Sequence, residues 1–265
     1  MLIDTHCHIN MMVKKEFETD LSPHELTLAK PIIDEAHASE VNTIINVGTS
    51  LIESQNSVLL AQTFKSVYAT IGIHPNDCTA TWKKDFDELK KMITHDKVVG
   101  VGECGIDMHY QGYDLKRQDY AFRAHLELAL EHHKAVVVHS RDAAQETLRI
   151  LDDYNRDLKR VVLHCFSYNL EIAEQVIRWG FKIGIDAPIT YTKNNELRSI
   201  VASVRLEDIV LETDAPFLPI QEMRGKQNAP KYIKTIAEYI ATLKKEEFDT
   251  VARITTNNAR ELFNL

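Results

Sequence analysis

Eight short runs rich in β-branched and other apolar residues recur along the chain, and longer segments with helical spacing separate them. In the segment from Lys116 to His133, one face of a helix would carry Phe122, Leu126, Ala129, Leu130 and His133. Several of the short runs are almost entirely apolar, which is typical of parallel strands buried on both faces. The predicted strands are residues 2–6, 43–48, 67–73, 98–103, 135–140, 160–165, 181–186 and 208–214.

This alternation favours an α/β fold, a single (β/α)8 TIM barrel that spans residues 1–265. A doubly wound open sheet is the alternative, and it is disfavoured because no GxGxxG motif follows the first strand. No linker rich in glycine, proline or serine indicates a domain boundary. The predicted helices are residues 22–39, 51–63, 85–95, 116–133, 142–155, 168–179, 193–203, 228–243 and 246–263.

The overall charge limits the partners that we expect. The net charge of −8, from 31 basic and 39 acidic residues, argues against a general affinity for nucleic acid or anionic membranes. It leaves open a locally positive cleft, particularly one that contains metal ions. No membrane span and no signal peptide are expected, and the four cysteines form no CxxC motif. These features favour a reduced, cytoplasmic protein.

Residues that commonly ligate metals occur at the ends of five predicted strands: His6 and His8 on the first, Glu103 on the fourth, His139 on the fifth, His164 on the sixth and Asp214 on the eighth. In a barrel, the carboxyl ends of all strands meet on one face, where the active site forms. Singly, such a histidine could bond a nearby carbonyl, and such a carboxylate could cap a helix. Together they predict a metal centre, because burying so many ionisable groups without a cation would cost several kcal/mol per unpaired charge.

Six ligands suit two divalent ions bridged by a carboxylate better than one tetrahedral ion with an open position. We expect His6, His8, Glu103 and Asp214 around one ion, and Glu103, His139 and His164 around the other. Two ions about 4 Å apart would hold the attacking and leaving oxygens of a hydrolysis and give a hydroxide nucleophile near neutral pH. Asp214 would orient that water and accept its proton. The mixed ligands suit Zn, Mn, Fe or Co, with Mg possible at a site richer in oxygen.

Seven segments between residues 3 and 230 follow a known pattern in order: IDTHCH (3–8), IGIHPND (71–77), GVGECGID (100–107), VVVHSRDA (136–143), VLHCFS (162–167), LETDAPFL (211–218) and RGKQNAP (224–230). Together they resemble the TatD family of metal-dependent deoxyribonucleases, within the amidohydrolase-like barrels. The resemblance implies a (β/α)8 barrel in which the same six residues ligate divalent metals. It also implies phosphodiester hydrolysis, commonly as a 3′→5′ exonuclease on DNA, with a role in DNA breakdown or repair.

Four further residues are candidate substrate contacts. His74, in GIHP, would approach a substrate phosphate, or it is a loop residue stiffened by Pro75. Arg141 would face the same mouth, or it pairs with an acid on a helix. Arg224 and Lys226 could bind the nucleic-acid backbone, or they belong to a solvated loop.

The chain departs from the family pattern near these contacts. Gln227 and Ala229 replace a basic residue and a glutamate, Tyr168 replaces a glycine, and Asn76 stands where histidine is frequent. Tyr168 could stack on an unpaired base, although packing under a loop is the favoured interpretation. These departures leave the predicted metal ligands intact and affect only the substrate contacts.

Three functions compete. The first is a phosphodiesterase that trims single-stranded or frayed DNA. The second is the same bimetal barrel acting on another ester or an amide, for example the ester of a mischarged aminoacyl-tRNA; no lysine ends the fifth strand, which disfavours amidases with a carbamylated lysine. The third is a metal-holding scaffold, disfavoured because polar groups surround the site. Three cysteines adjoin predicted ligands but should point away from the metals: Cys7, Cys104 and Cys165.

Overall fold

The computed structural model describes residues 1–14 and 16–265, and its central element is a parallel sheet in which every strand lies beside the next one in sequence. Asp214 donates its amide to the His6 carbonyl (2.9 Å), and His8 donates its amide to the Ala215 carbonyl (2.7 Å), so the end of the sheet meets its beginning. The predicted (β/α)8 barrel is therefore confirmed. Its strands are β1 (Leu2–Cys7), β2 (Val41–Val47), β3 (Val67–Ile71), β4 (Val98–Asp107), β5 (Ala135–Arg141), β6 (Val161–Leu163), β7 (Lys182–Ile185) and β8 (Ile209–Leu211).

Helices connect these strands on the outside of the sheet. The first long one shows how the sequence fixes an end: Ser22 accepts the Glu25 amide, Glu25 accepts the Ser22 amide in return, and Pro23 occupies the first turn. The α-helices are α1 (Ile9–Val13), α2 (Pro23–Ala38), α3 (Leu51–Thr63), α4 (Trp82–Leu89), α5 (Leu115–Glu131), α6 (Ala144–Asp152), α7 (Leu170–Arg178), α8 (Asn195–Ser203), α9 (Ile233–Lys244) and α10 (Phe248–Phe263). None of the helices in the described part of the chain has the length and apolarity that a membrane span requires.

The core has two parts. A large cluster fills the space between the strands and the helices. A smaller one joins side chains of six strands to α10, whose Leu262 and Phe263 pack against them. Among the described helices, α10 is the one that contributes side chains to this smaller cluster. Its last turns therefore close one end of the barrel, and the carboxyl ends of the strands remain open for the site.

Several predicted boundaries were wrong. Strand β4 continues to Asp107, beyond the predicted end at residue 103, and its pairing with β5 shifts register between Val101 and Cys104. Strands β6 and β8 end before the ligand residues that were assigned to them, so His164 and Asp214 lie just beyond their strands. The short helix α1 was not predicted, and the segment predicted as a helix over 85–95 is α4 followed by a 3₁₀ turn at Lys90–Met92.

Gly105 allows β4 to pass close to β5 beside the site. It pairs with His139, its φ is +146°, and a Cβ added there would lie 1.9 Å from the His139 carbonyl oxygen. A side chain at this position would therefore meet both an unfavourable backbone conformation and the neighbouring strand.

We expect Gly105→Ala to lower the free energy of unfolding by about 3 kcal/mol or more, because both strands must move. Gly112→Ala is the matched control: Gly112 has φ +88°, but a Cβ there meets nothing within 4 Å. Its cost should be the backbone strain alone, about 1 kcal/mol. Urea unfolding of both variants measures the difference, and equal costs would contradict the close approach at Gly105.

Candidate metal centre

The buried carboxylate of Glu103 lies between two pairs of histidines. Its Oε2 atom is 3.3 Å from His6 Nε2 and 3.8 Å from His8 Nε2. Its Oε1 atom is 2.8 Å from His139 Nδ1 and 2.8 Å from His164 Nε2. Each carboxylate oxygen therefore faces a different pair of imidazole nitrogens.

Asp214 completes the group around Oε2. Its Oδ1 atom is 3.5 Å from His6 Nε2 and 3.4 Å from His8 Nε2. Backbone hydrogen bonds bring these residues together across the sheet, since Asp214 donates to the His6 carbonyl and His164 donates to the carbonyl of Val138, next to His139. We give the name ligand cluster to the six residues that the sequence predicts as metal ligands: His6, His8, Glu103, His139, His164 and Asp214. The structure brings all of them to one point at the carboxyl ends of the strands.

The protonation states suit cation binding. Burial and the neighbouring His164 lower the pKa of His6 to about 4, so its imidazole is neutral near pH 7. Burial opposes the charge of Glu103, but the surrounding rings of His164, His74 and His6 hold its pKa well below the usual range. The cluster thus presents a carboxylate anion and a neutral nitrogen donor.

The donor set fits divalent metals. His6 Nε2 and His8 Nε2 lie only 3.1 Å apart. Among the described residues, four sets of three have ligand atoms within 4.8 Å of one another, and two of these sets consist of cluster residues alone: His6, His8 and Glu103, and Glu103, His139 and His164. The other two sets include neighbours of the cluster: His6, His164 and Glu212, and His74, Asp107 and His139. Among the described residues, no lysine or arginine forms an ion pair with Glu103 or Asp214. A cation is what such a buried arrangement requires, and mixed imidazole and carboxylate ligands suit Zn, Mn, Fe or Co.

Asp107 belongs to the site, although the sequence analysis did not select it. Its Oδ2 atom is 3.1 Å from His139 Nε2, and the other nitrogen of that ring faces Glu103. Asn76 Nδ2 donates to the same Oδ2 atom (2.9 Å), and the Gln118 side chain bonds both the amide and the carbonyl of Asp107 (3.0 Å each). Burial opposes a charge on His139, yet hydrogen bonds to Asp107 and Glu103 raise its pKa to about 9. A position that attracts a proton this strongly also attracts a metal cation.

His74 lies at the edge of the ligand cluster. Its Nε2 atom is 3.5 Å from Glu103 Oε1, and its ring centroid is 4.3 Å from that of His139. Burial and the proximity of His139 lower the pKa of His74 to about 3, so the ring is neutral. Its Nδ1 atom accepts the Asn76 amide (3.1 Å), which leaves the proton on Nε2.

The loop that carries His74 is held by a buried histidine of α5. His125 Nε2 accepts the Ile73 amide (3.0 Å), and His125 Nδ1 donates to the Ala121 carbonyl (2.7 Å). Both ring nitrogens are thus committed in one tautomer. Burial lowers the pKa of His125 to about 4, although the hydrogen bond to the Ala121 carbonyl favours the charged ring. A second proton would also remove the acceptor for the Ile73 amide.

The other predicted substrate contacts are exposed on the rim. The Arg141 guanidinium lies 5.4 Å from the Tyr110 ring, and the Arg224 guanidinium lies 4.7 Å from the Tyr191 ring. Lys226 is exposed in the same loop as Arg224. Within the described ranges, none of these three cations forms an ion pair or hydrogen bond with the ligand cluster, so their role depends on what enters the mouth.

The remaining polar residues near the cluster have structural contacts. Tyr168 packs under a loop, where its hydroxyl bonds Ser140 Oγ (2.8 Å) and accepts the Ala143 amide (3.2 Å). Cys7 and Cys104 direct their sulfurs to backbone carbonyls 3.8 Å away. Glu212, which the sequence analysis missed, is fully buried 3.9 Å from His164 Nδ1, and burial raises its pKa well above the usual range.

A barrel with such a cluster at the carboxyl ends of its strands has the architecture of a metal-dependent hydrolase. Residues 3–264 match the family model described as TatD related DNase. An uncharacterised metal-dependent hydrolase of Bacillus subtilis, YabD, is 32% identical over 265 residues and covers all of both chains. The chain therefore belongs to the TatD family of metal-dependent hydrolases.

Two further similarities agree with this assignment. A Citrobacter rodentium protein named 3′-5′ ssDNA/RNA exonuclease TatD is 32% identical over 240 residues, covering 88% of this chain and 91% of that protein. The crystal structure of YjjV, a TatD homologue from Escherichia coli, superposes with a TM-score of 0.90 at 28% identity, covering 100% of this chain and 98% of that one.

The tautomer of His125 predicts a pH dependence of stability. Because its pKa is about 4 in the folded chain and 6.5 ordinarily, the unfolded state binds more protons between these values. The stabilisation is therefore complete above pH 6.5 and is lost as the pH falls through 4.

We expect the free energy of unfolding of the metal-stripped protein to fall between pH 7 and pH 4.5 by about 2 kcal/mol more in the wild type than in His125→Gln. Urea unfolding of both proteins at the two pH values measures this difference. Subtracting the change measured for the variant from the change measured for the wild type removes the contribution of the other titrating groups. An equal fall in both proteins would contradict the neutral state of the His125 ring.

Proposed function

We propose that this hydrolase is a phosphodiesterase that uses two divalent ions and degrades single-stranded or frayed DNA from the 3′ end. The observation that carries the proposal is the Glu103 carboxylate, whose two oxygens face separate histidine pairs. Such an arrangement suits a bridged pair of ions, which is common among phosphatases and nucleases. The name of the Citrobacter relative supports a nucleic-acid substrate.

His6, His8, Glu103 and Asp214 would hold one ion, and Glu103, His139 and His164 would hold the other. Two ions held there would supply Lewis-acid polarisation of a phosphoryl oxygen and would lower the pKa of the attacking water. Asp214 would orient that water and accept its proton, because its side chain is 14% exposed whereas that of Glu103 is 5% exposed.

His74 and Asp107 would act on either side of His139. The neutral His74 carries its proton on Nε2 and can donate it in a hydrogen bond to a phosphoryl oxygen. Asp107 would accept the Nε2 proton of His139 and so hold Nδ1, whose own proton a metal ion would replace, toward Glu103. Arg141, Arg224 and Lys226 would contact the backbone of the strand at the rim.

We also propose that residues 1–265 work as one catalytic domain in the cytoplasm, in DNA breakdown or repair. The cysteines in the described structure are all free, which agrees with a reducing compartment.

We expect metal-stripped protein to shorten a 5′-labelled single-stranded DNA oligomer from its 3′ end when Mg, Mn, Zn or Co is added back. Glu103→Gln keeps the shape of the side chain but removes its charge, so hydrolysis should fall by about 1,000-fold or more. Glu222→Gln, at an exposed acid on the rim, is the matched control.

Two outcomes would contradict the proposal. Unchanged turnover by folded Glu103→Gln would remove the bridging carboxylate from the mechanism. Turnover of a carboxylic ester or an aminoacyl-tRNA, without cleavage of the oligomer under any metal, would replace the phosphodiesterase with the alternative hydrolase.

Asp107→Asn tests whether Asp107 orients the imidazole ring of His139. Two donors, His139 Nε2 and Asn76 Nδ2, converge on Asp107 Oδ2, and the His109 amide donates to Oδ1 (2.8 Å). Because donors approach both oxygens, an asparagine must turn its own NH2 group toward a donor on one side. We expect metal affinity and kcat to fall 10- to 100-fold, roughly the usual effect of losing a carboxylate behind a ligating histidine.

Calorimetric titration of metal into the stripped protein measures this effect independently of catalysis. The control is Asp142→Asn, which removes an exposed carboxylate that pairs only with His109 among the described residues. Wild-type affinity in Asp107→Asn would show that Asp107 does not orient the ligand.

A further inference from the structure

Two cavities lie on opposite sides of the barrel mouth, and neither is lined by the ligand cluster. One, of about 310 Å³, lies between the loops that follow β3 and β4. The other, of about 490 Å³, lies between the loops that follow β7 and β8. In a closed barrel of eight strands, these two pairs of loops are four strands apart and so face each other across the metal centre.

The second cavity combines an aromatic face with positive charge. We call it the Tyr191 cavity, and its lining residues are Tyr191, Thr192, Lys193, Asn194, Gln221 and Arg224. The Arg224 guanidinium covers the Tyr191 ring at 4.7 Å. Its lining includes two cations and no carboxylate, and within the described ranges neither Lys193 nor Arg224 forms an ion pair.

The walls of the Tyr191 cavity are tied together by hydrogen bonds. Gln221 donates its amide to Thr190 Oγ1 (2.9 Å), and its side-chain oxygen accepts the Thr192 amide (3.2 Å). Arg198, from α8, donates to the Tyr191 carbonyl (2.5 Å) and to the Thr192 carbonyl (3.0 Å). The loop after β7 is thus fixed to the loop after β8, and the cavity is formed before anything binds.

The cavity on the other side of the mouth has a different charge balance. It includes Tyr110 and Tyr113, but its Arg117 is paired with Asp114 at 2.9 Å. The Arg141 guanidinium covers the Tyr110 ring on that side, but Arg141 does not line the cavity. A nucleic-acid strand that extends beyond the metal centre needs positive charge for its next phosphates. The cavity whose lining has more cations than carboxylates is the one between the loops that follow β7 and β8.

We propose that the Tyr191 cavity binds a nucleotide of the strand next to the one that is hydrolysed. The base stacks on the platform formed by the Tyr191 ring and the Arg224 guanidinium that covers it, and Lys193 and Arg224 neutralise its phosphate. This inference rests on the proposed function and adds to it a subsite for the neighbouring nucleotide. Because a base must be unpaired to stack on a side chain, the cavity selects single-stranded nucleic acid without reading its sequence.

The test is binding of a fluorescein-labelled single-stranded DNA oligomer to the metal-loaded protein, followed by fluorescence anisotropy. Phosphorothioate linkages in the oligomer slow its hydrolysis. Tyr191→Leu should raise Kd about tenfold, whereas Tyr191→Phe keeps an aromatic face and should bind like the wild type. An abasic oligomer of the same length should bind about tenfold more weakly to the wild type, with no further loss in Tyr191→Leu.

The charge is tested by the salt dependence of Kd. Lys193→Gln should reduce the slope of log Kd against log salt by about 0.7, the value for one contact with a single-stranded phosphate. Lys159→Gln is the matched control, since Lys159 is an exposed lysine in the loop before β6, away from the mouth. It should keep the wild-type slope and the wild-type Kd.

The outcomes separate this inference from the proposed function. Hydrolysis of the unmodified oligomer with a Kd that does not depend on Tyr191 would overturn the inference and leave the activity intact. Binding that depends on Tyr191 and on the bases, without hydrolysis under any metal, would support the cavity and contradict the activity. A Tyr191 effect of equal size on normal and abasic oligomers would overturn stacking.

Discussion

The interaction on which the site depends is the contact of one buried carboxylate, Glu103, with histidines from three other strands. An isolated buried carboxylate would be costly to ionise. Here the rings of His6, His139 and His164 keep it charged, and their own positions follow from backbone hydrogen bonds between neighbouring strands. The barrel therefore does more than support the site: closing the sheet between β1 and β8 is what brings His6 and Asp214 to the same side of Glu103.

Much of this could be predicted from the sequence because barrel topology turns distance along the chain into proximity. Once eight strands are recognised, any ligand at a carboxyl end must lie near the others. Periodicity within a strand was less informative. The pairing of β1 shifts register between Asp4 and Cys7, and that of β4 shifts between Val101 and Cys104. His6 and Glu103 lie beside these irregularities, where simple alternation of side chains does not determine the direction of a residue.

The residues that the sequence did not reveal are those that act through long-range hydrogen bonds. Asp107 meets His139 across 32 positions, and His125 meets Ile73 across 52. Neither pair leaves a local pattern, since the partner of each is known only when β4, β5 and α5 are in place. Asp107 was further hidden because β4 was expected to end at residue 103, which placed Asp107 in a loop instead of on the strand beside His139.

The acidic charge of the whole chain is compatible with the proposed nucleic-acid substrate because the positive charge is local. A net charge of −8 repels a polyanion at long range, so binding must come from a few short-range contacts. Arg224 and Arg141 each lie against a tyrosine instead of a carboxylate, which keeps their charge available to a phosphate. Few cationic contacts mean weak dependence on salt and ready release of the strand. An enzyme built this way would remove nucleotides from accessible ends and would hold duplex DNA poorly.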